Sequence, residues 1–578
     1  MLIRRVAALA AVTLVLGGCG KTTEDDGGND LGTREQSSVI AADPAASRGP
    51  APDVAGAQKG GTVTILRNNK ISHLDPQRAY SFIGLLSSAS LYARSLTYWK
   101  DDGSGKLTLV GDLAETPGTD VHSDCKTWEF TLKDGLKFED GSPITSKEVG
   151  YGISRSFDPA MGGPTYIQEW LANDKEYYKK WDFTKNKGQL PPGLTTPDPK
   201  TVRFTFEKPH CELPYAASLP YTAPVPQAKD TGPEFDNKPF SSGPYKLVRN
   251  TIGVEIVFER NENWDPATDP IRHQYPDRYV YHFGAEPDAS AQRVVADSGA
   301  DRSALAWDGV PSSLAQKFAT DASLQERTVA APTPMEWRLA INTRRVTDVD
   351  TRRALNYAID RDGLIKAFGG SDLAQPVTTL MPPGTIGFQN YDLYPAGPTG
   401  NPDEAKKLLA GKSPNLVMAV GDGAQEQALA PQIKNNLERA GFTVTVKTVP
   451  GDEKDDLTAK PGNEYDLYFR QWAADWPSGA SILPPLYDGT TITAEGSNNV
   501  SFLNDPAVNA ELTRVADLPA AQQPAAWAEL DRQIMKDHAP AVPLLVEVAR
   551  IPTGSHLAGV FISSIFGVPS LVNANVKP

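Results

Sequence analysis

In the second half of the chain a strand, a helix and a second strand follow one another, and this order constrains the fold most strongly. Leu416–Val420 is a short apolar run, and Phe442–Val449 alternates apolar and polar residues, as strands do. Between them, residues 424–440 carry an apolar stripe at helical spacing, and Gly441 is placed to end that helix. Pro431 predicts a kink or a later helix start. Because strands joined by a helix run parallel, the sequence predicts an α/β domain here.

Other segments extend this α/β pattern over most of the chain. Residues 160–200 are rich in Gly, Pro, Lys and aromatic residues and are predicted to be irregular. Thr145 is expected to N-cap a helix, with Glu148 completing a capping box. The remaining predicted strands are Gly60–Leu66, Trp128–Leu132, Thr201–Glu207 and Gly253–Arg260, and the remaining predicted helices are Leu85–Leu96 and one that starts at Asp350 or Thr351.

Composition and charge limit the function classes. With 578 residues, 40% of them hydrophobic and 22% charged, the chain can form several globular units. The net charge of −14 and the pI of about 5.1 argue against nucleic acid as a partner, because phosphates require a basic surface.

The N-terminus predicts export and a lipid anchor. Arg4 and Arg5 precede a mostly apolar run, residues 6–16, which is too short to span a bilayer. Leu16-Gly17-Gly18-Cys19 follows and resembles a bacterial lipobox, with Cys19 as the lipidated residue. The alternative is an ordinary secretory signal with a chance cysteine. We therefore expect a signal peptide over residues 1–18. Residues 19–57 lack large apolar side chains and are predicted to be a flexible tether.

Two cysteines remain after the lipobox, Cys125 and Cys211. In an exported protein such a pair favours a disulfide. Each cysteine lies beside a predicted strand, so a bridge is feasible if these strands are neighbours. The alternative is two buried thiols.

The sequence contains no motif typical of a metalloprotease, an α/β-hydrolase or a dinucleotide-binding enzyme. There is no His-Glu-x-x-His motif, the seven histidines lack metal-ligand spacing, and there is no Gly-x-Ser-x-Gly motif. Gly421-Asp422-Gly423 resembles a dinucleotide loop, but Glu426 occupies the third glycine position. The sequence predicts neither an enzyme, nor a cofactor, nor a metal site.

Several motifs resemble the extracellular oligopeptide-binding proteins, family 5 of the solute-binding proteins that serve peptide and nickel ABC importers. The matching blocks, in the order of that family, are Leu74-Asp75-Pro76, Trp128–Thr145 with its continuation to Pro159, Ser242–Leu247 with Glu259-Arg260-Asn261 and Asn263-Trp264, Ile341-Asn342-Thr343 with Arg353–Arg361, and Ala539–Leu544. These five blocks occur in order over residues 60–550, so the resemblance covers nearly the whole mature chain.

The resemblance implies an α/β fold of the type II periplasmic-binding-protein class (cluster C). Two lobes face each other across a cleft, a hinge joins them, and an extra subdomain extends lobe I. By this resemblance lobe I comprises residues 58–105, 236–305 and 545–578, the extra subdomain 106–235, and lobe II 306–544. Cys125 and Cys211 then share one subdomain.

The resemblance also implies a function: an extracytoplasmic, membrane-anchored monomer that captures an oligopeptide or dipeptide between closing lobes and delivers it to ABC permease subunits. The family holds the ligand amine with an aspartate in a Trp-x-x-Asp-aromatic segment, which here is Trp472 to Trp476. Asp475 is therefore the candidate amine partner and Trp472 a candidate pocket wall. The alternatives are a turn residue for Asp475 and core packing for Trp472.

Four further residues correspond to cleft positions of the family: Tyr80, Ser81, Phe82 and Tyr151. Surface or core packing is the alternative for each. Some relatives carry a carboxylate-binding arginine three residues before the tryptophan. Here that position is Phe469, and Arg470 lies one step away, on the opposite face of a strand. The carboxylate partner of the ligand is therefore not predicted.

Two alternatives to a peptide receptor remain at this point. The same fold can bind an oligosaccharide, a nickel chelate or another small solute, and the scattered histidines argue against a dedicated metal pocket. A lipoprotein of this fold can also act as an envelope sensor or chaperone without transport.

Overall fold

The structure is a computed structural model that describes residues 37–40 and 44–578. Its strands are β1 (Ser37–Ile40), β2 (Thr62–Leu66), β3 (Thr97–Asp101), β4 (Lys106–Gly111), β5 (Thr119–Asp120), β6 (Thr127–Thr131), β7 (Leu194–Asp198), β8 (Thr201–Thr205), β9 (Tyr245–Thr251), β10 (Glu255–Arg260), β11 (Arg278–His282), β12 (Ala304–Ala306), β13 (Thr328–Ile341), β14 (Ala374–Pro376), β15 (Asn415–Gly421), β16 (Thr443–Val449), β17 (Leu467–Trp472), β18 (Ala541–Pro552), β19 (Leu557–Ala558), β20 (Phe561–Ile562), β21 (Pro569–Ser570) and β22 (Asn575–Val576). Its helices are α1 (Phe82–Ser87), α2 (Ser146–Arg155), α3 (Tyr166–Ala172), α4 (Tyr177–Lys180), α5 (Leu213–Ala216), α6 (Pro287–Ala296), α7 (Ala315–Thr320), α8 (Ala322–Gln325), α9 (Val349–Ala358), α10 (Arg361–Phe368), α11 (Pro402–Leu409), α12 (Ala424–Arg439), α13 (Gly451–Thr458), α14 (Leu483–Tyr487), α15 (Pro506–Ala516) and α16 (Gln523–His538).

A five-stranded mixed sheet forms the centre of lobe I, in the order β12-β2-β11-β10-β9. Strand β2 runs parallel to β12 and β11, and β10 runs antiparallel to β11 and β9. Alternate residues of β2, Val63 and Ile65, are completely buried in the core of this lobe. The strands predicted at Gly60–Leu66 and Gly253–Arg260 are both present in this sheet.

Lobe II is built on a six-stranded sheet with the order β14-β18-β13-β17-β15-β16. Strands β15 and β16 are parallel in register Asn415↔Thr443 to Gly421↔Val449, and α12 connects them. The predicted strand–helix–strand unit is therefore confirmed. Pro431 lies inside α12, and the helix ends at Arg439, shortly before Gly441.

The extra subdomain has its own sheet, β5-β6-β8-β7. Its helix α2 begins with the predicted capping box, in which Thr145 and Glu148 bond reciprocally. The prediction that residues 160–200 are irregular was wrong in part, because this stretch contains α3, α4 and β7. Each of these elements is short, so no apolar period is long enough to be recognised in the sequence.

The structure differs from the prediction of a flexible tether over residues 19–57 in the part that it describes, residues 37–40 and 44–57. β1 pairs in parallel with β4, and residues 44–57 lie against lobe I. Ser47 is fully buried and its Oγ accepts a hydrogen bond from the Gly111 amide, while the Ala51 amide donates to the Asp269 carbonyl. Backbone hydrogen bonds and small side chains hold this segment, which a rule based on large apolar residues misses.

Three of the expected domain boundaries fall inside β-structure. The boundary at 105/106 divides the hairpin of β3 and β4, the boundary at 305/306 divides β12, and the boundary at 544/545 divides β18. We propose to draw them outside these elements. None of the helices in the described ranges is long and apolar enough to cross a membrane. Residues 37–40 and 44–578 also contain no group of three or more His, Cys, Asp or Glu side chains placed to hold a metal ion.

Candidate functional site

Asp475 lies in the loop after β17 and is 6% exposed. Its Oδ2 accepts hydrogen bonds from the hydroxyl of Tyr80 at 2.8 Å and from the hydroxyl of Tyr166 at 2.5 Å. No ion pair of the described residues involves this carboxylate, and burial raises its pKa above the ordinary value. A carboxylate desolvated in this way, with only neutral donors, is an electrostatically incomplete site for a cation.

Three parts of the molecule meet at this carboxylate. Tyr80 precedes α1 of lobe I, Tyr166 is the first residue of α3 in the extra subdomain, and Asp475 belongs to lobe II. Burial, followed by the charge of Asp475, raises the pKa of both phenols far above the usual value, so they remain hydrogen-bond donors. The two lobes are therefore in contact across the cleft in this structure.

A cavity of about 530 Å³ adjoins the two phenols and extends between the extra subdomain and lobe II. This volume is in the range of about 300–1,000 Å³ that small-molecule sites occupy. The aromatic part of its wall comprises Tyr80, Tyr166, Trp170, Trp472 and Trp476. Tyr80 is 43% exposed and lines this space.

Charged groups line the same cavity. The acidic side chains are Glu169, Glu212 and Asp517, and the basic ones are Lys175 and Lys208. His210 stacks on Trp170 with ring centroids 4.6 Å apart, and burial lowers its pKa to about 3, so its ring is neutral at physiological pH. The cavity can thus enclose a small ligand with an apolar body. Asp475 is not itself among the lining residues, but it bonds Tyr80 and Tyr166, which are.

Of the predicted site residues, Tyr80 and Trp472 line the cavity, and Asp475 bonds Tyr80 without lining it. Trp472 donates its indole N–H to the Ser481 carbonyl at 3.0 Å. Ser81 instead N-caps α1, accepting from the Gly84 amide at 3.3 Å. Phe82 packs against Phe566, with ring centroids 6.2 Å apart. Neither Ser81 nor Phe82 lines the cavity.

Tyr151 lies inside the extra subdomain, away from the cavity. Its hydroxyl donates to Asp230 at 2.7 Å, and its ring packs at 6.0 Å on Phe183. A helix residue that faces the core of its own subdomain cannot also face the cleft, so the structure favours the packing alternative for Tyr151.

The strand that precedes the site carries no free cation. Phe469 is buried in the core of lobe II. Arg470, on the other face of β17, pairs with Asp455 at 2.6 Å and donates to Thr458 at 2.5 Å. Both of these groups belong to α13, so the structure agrees with the sequence argument that Arg470 does not replace an arginine at position 469.

Cys125 and Cys211 form a disulfide in the structure, with Cα atoms 4.8 Å apart. The neighbouring strands β6 and β8 are antiparallel partners, with Thr127 opposite Thr205. Cys19 lies outside the described residues.

Sequence reasoning missed Tyr166, Glu212 and Trp476. Tyr166 lies in the stretch predicted to be irregular, where its only signal is the local abundance of aromatic residues. Glu212 directly follows Cys211 and Trp476 directly follows Asp475, so adjacency to a candidate residue is the one signal that points to them.

The comparison with family models covers most of the chain. Residues 108–494 match the model of the bacterial extracellular solute-binding proteins, family 5 (middle region). Among curated proteins, the periplasmic oligopeptide-binding protein OppA of Salmonella typhimurium is 26% identical over 532 residues, covering 86% of this chain and 89% of that protein. The glutathione-binding protein GsiB of Salmonella typhi is 24% identical over 521 residues, covering 86% and 92%.

Solved structures show the same fold. An oligopeptide-binding protein 2 of clavulanic acid biosynthesis superposes with a TM-score of 0.82 at 28% identity, covering 90% of this chain and 96% of that chain. The unliganded, open murein tripeptide-binding protein MppA gives a TM-score of 0.69 at 20% identity, covering 90% and 99%. The chain has the two-lobed α/β fold of the periplasmic binding proteins, with the extra subdomain on lobe I.

The fold, the cavity between its parts and the match over residues 108–494 agree with one another. This chain belongs to family 5 of the bacterial extracellular solute-binding proteins, which are transport binding proteins and not enzymes.

Proposed function

We propose that this protein is the lipid-anchored substrate-binding subunit of an ABC importer. It captures a short peptide between its lobes and delivers it to the permease on the extracytoplasmic side of the membrane. Asp475 binds the free N-terminal ammonium group of the peptide. The oligopeptide-binding relative at 26% identity and the oligopeptide-binding structure at 28% identity support the choice of peptide.

The observation that carries this proposal is the buried carboxylate of Asp475, which lacks a cationic partner among the described residues. The hydroxyls of Tyr80 and Tyr166 fix the carboxylate and leave its charge uncompensated. An ammonium group compensates that charge through a charge-assisted hydrogen bond. A free amine is the one cation that every unmodified linear peptide carries, so this contact selects peptides as a class without reading their side chains.

Calorimetry with tri-alanine and N-acetyl-tri-alanine tests the amine contact. We expect the wild-type protein to bind the free-amine peptide more tightly, and we expect Asp475→Asn to weaken that binding about tenfold or more, since hydrogen bonds to charged groups contribute about 1.5–3 kcal/mol. The acetylated peptide should respond little to the substitution. The exposed acid Asp403 provides the control variant Asp403→Asn. Equal affinity of the wild type for both peptides would remove Asp475 from the amine site.

The identity of the ligand can be tested independently of the chosen peptide. Native mass spectrometry of the purified protein, released from the membrane, measures the mass of any co-purified ligand. A peptide mass supports the proposal, and an oligosaccharide or a metal chelate would contradict it.

The membrane anchor rests on the Leu16-Gly17-Gly18-Cys19 motif. In this proposal the Cys19 thiol receives the lipid and the following residues lead to the folded part. Membrane fractionation of a Cys19→Ala variant tests the anchor, and a variant that still sediments with the membrane would refute it.

A further inference from the structure

The loop that bears Asp475 is tied to the extra subdomain by a second buried carboxylate, Glu212. Its Oε2 accepts the indole N–H of Trp476 at 2.6 Å, and its Oε1 accepts the hydroxyl of Ser478 at 2.5 Å. Glu212 is 8% exposed, Trp476 1% and Ser478 4%. Both oxygens of this carboxylate are therefore used by donors from lobe II.

The Trp476 ring completes the apolar core of the extra subdomain, although its backbone belongs to lobe II. It packs edge-on against Tyr166, with ring centroids 4.6 Å apart, and lies 6.5 Å from Trp170. Tyr166 is also a hydrogen-bond donor to Asp475. The same aromatic contact thus links the amine-binding carboxylate to the Glu212 contact.

On the side of the extra subdomain, Glu212 is held rigidly. It follows Cys211, which is bonded to Cys125, and its carbonyl accepts the amides of Tyr215 and Ala216 at the start of α5. Because its backbone is held in this way, the Glu212 carboxylate can fix the positions of the two groups that bond to it, Trp476 and Ser478.

On the side of lobe II, the loop is equally well defined. Ser478 caps a single helical turn by accepting from the Ala480 amide at 3.3 Å, and the Ser481 hydroxyl donates to the Trp476 carbonyl at 2.8 Å. These bonds connect Trp476, Ser478 and Ser481 within one turn, so holding Trp476 and Ser478 also constrains the adjacent Asp475.

We propose that Glu212 is a positioning residue for ligand binding. Through Trp476 and Ser478 it holds the Asp475 loop against the extra subdomain and places the Asp475 carboxylate beneath Tyr80 and Tyr166 when the lobes are closed. The effect on ligand selectivity rests on the proposed amine-binding role of Asp475. The effect on the loop does not, since any peptide that closes the lobes brings the loop against the extra subdomain, whichever group Asp475 binds.

The first experiment follows backbone hydrogen exchange over residues 475–482 in the protein saturated with tri-alanine, where the lobes are closed. We expect Glu212→Ala to raise exchange in this segment about tenfold or more, since it removes two hydrogen bonds at once. We expect Ser478→Ala and Glu212→Gln to give smaller increases, because each retains one contact to Trp476 or Ser478. The exposed Glu234 supplies the control Glu234→Gln. Wild-type exchange in Glu212→Ala would overturn the proposal.

The second experiment measures the ratio of dissociation constants for N-acetyl-tri-alanine and tri-alanine. If Glu212 positions Asp475, this ratio falls about fivefold or more in Glu212→Ala and is partly restored in Glu212→Gln. If both peptides weaken by the same factor, Glu212 supports closure alone and the positioning role is refuted. If the wild-type protein itself does not distinguish the two peptides, the amine site fails, while hydrogen exchange still decides whether Glu212 holds the loop.

Variants that fail to fold are recognised by circular dichroism and thermal melting. Ser478→Ala then decides the question on a folded protein, because it removes a single hydroxyl and leaves the Trp476 ring in place. Suppose that the Glu212 variants do not fold and that Ser478→Ala changes neither the exchange rate nor the ratio of peptide dissociation constants. Glu212 would then have only a structural role, and the proposal would be overturned.

Discussion

Asp475 keeps its carboxylate in the interior with two phenols as hydrogen-bond donors, and burial raises its pKa. Both features determine how readily the carboxylate takes up a proton. If Asp475 binds the peptide amine as proposed, a proton and an ammonium group compete for the carboxylate. Its raised pKa means that in the ligand-free molecule the proton is bound at a higher pH than by an ordinary aspartate.

We therefore predict that peptide affinity depends on pH at both ends of the neutral range. As the pH falls through the raised pKa of Asp475, the carboxylate becomes protonated and affinity for a free-amine peptide is lost. Above about pH 8 the peptide amine itself loses its proton, since its pKa is about 7.7–8.0. Calorimetry of tri-alanine from pH 4.5 to 9 should show a maximum between these limits.

N-acetyl-tri-alanine is the matched control for this pH series, because it has no ionisable amine, and its affinity should not show the alkaline loss. Circular dichroism at each pH excludes unfolding as the cause. A free-amine peptide that binds equally well at pH 4.5 and pH 7, to a folded protein, would contradict the ionised role of Asp475.

At the residue scale, Asp475 and Trp472 could be predicted as candidate site residues because both lie in a short motif with a recognisable pattern. Tyr166 and Glu212 could not be predicted in this way. These residues are 309 and 264 positions away in the chain from the groups they bond, Asp475 and Trp476. Their roles follow from how lobe II lies against the extra subdomain, which no local pattern records.

Among the elements, the pairing of β6 with β8 brings the two ends of a long loop together. Cys125 and Cys211 are 86 residues apart in sequence, and almost the whole sheet of the extra subdomain lies between them. A cross-link of this span restricts the unfolded chain strongly. It also fixes the start of α5, where Glu212 is located.

Removing the disulfide should destabilise the extra subdomain by about 4.6 kcal/mol, from the loop-closure entropy of an 86-residue separation. Urea unfolding followed by tryptophan fluorescence measures this loss in the double variant Cys125→Ser/Cys211→Ser. If the bridge is formed, each single substitution should cost nearly as much as the double one, because either one breaks the same bond. Small, additive losses would show two independent thiols instead.

The elements differ in how well their sequence predicts them. α12 and its two strands are predicted correctly because a helix of 16 residues contains several full periods of its apolar stripe. The helix predicted over Leu85–Leu96 instead starts at Phe82, and α1 gives way at Ser88 to a wider helical turn that ends at Tyr92. Arg94 then leaves the helix axis to reach Asp112 and Thr268, a long-range contact that overrides local propensity.

At the scale of the whole molecule, buried charges join lobe I to the extra subdomain. Arg94 and Arg272 of lobe I both bond Asp112 of the extra subdomain, at 2.8 and 2.7 Å, and Arg272 also pairs with Asp269 at 3.0 Å. These side chains are at most 2% exposed. Breaking one partner of a buried pair costs about 3–5 kcal/mol, so this junction should stay closed during function.

The contacts of lobe II with the extra subdomain are of another kind. They are hydrogen bonds from hydroxyl and indole donors and the packing of one aromatic ring, and they join Asp475, Trp476 and Ser478 of lobe II to Tyr166 and Glu212. Within residues 37–40 and 44–578, no ion pair involves Asp475 or Glu212. Such contacts can exchange for water at a modest cost. Closure is therefore expected between lobe II and a rigid unit made of lobe I and the extra subdomain.

Distance measurements between paired labels test this division. The labels are placed at three exposed positions, Ile252 in lobe I, Tyr178 in the extra subdomain and Lys407 in lobe II. On addition of tri-alanine, we expect the 178–407 distance to shorten, because hinge closure brings lobe II onto the extra subdomain. The 252–178 distance should stay constant, since the Asp112 network crosses no hinge.

Asp475→Asn should leave both distances unchanged at the same peptide concentration, which separates closure driven by the ligand from closure that occurs without it. If the 252–178 distance changes as much as the 178–407 distance, the extra subdomain moves independently and the rigid unit does not exist.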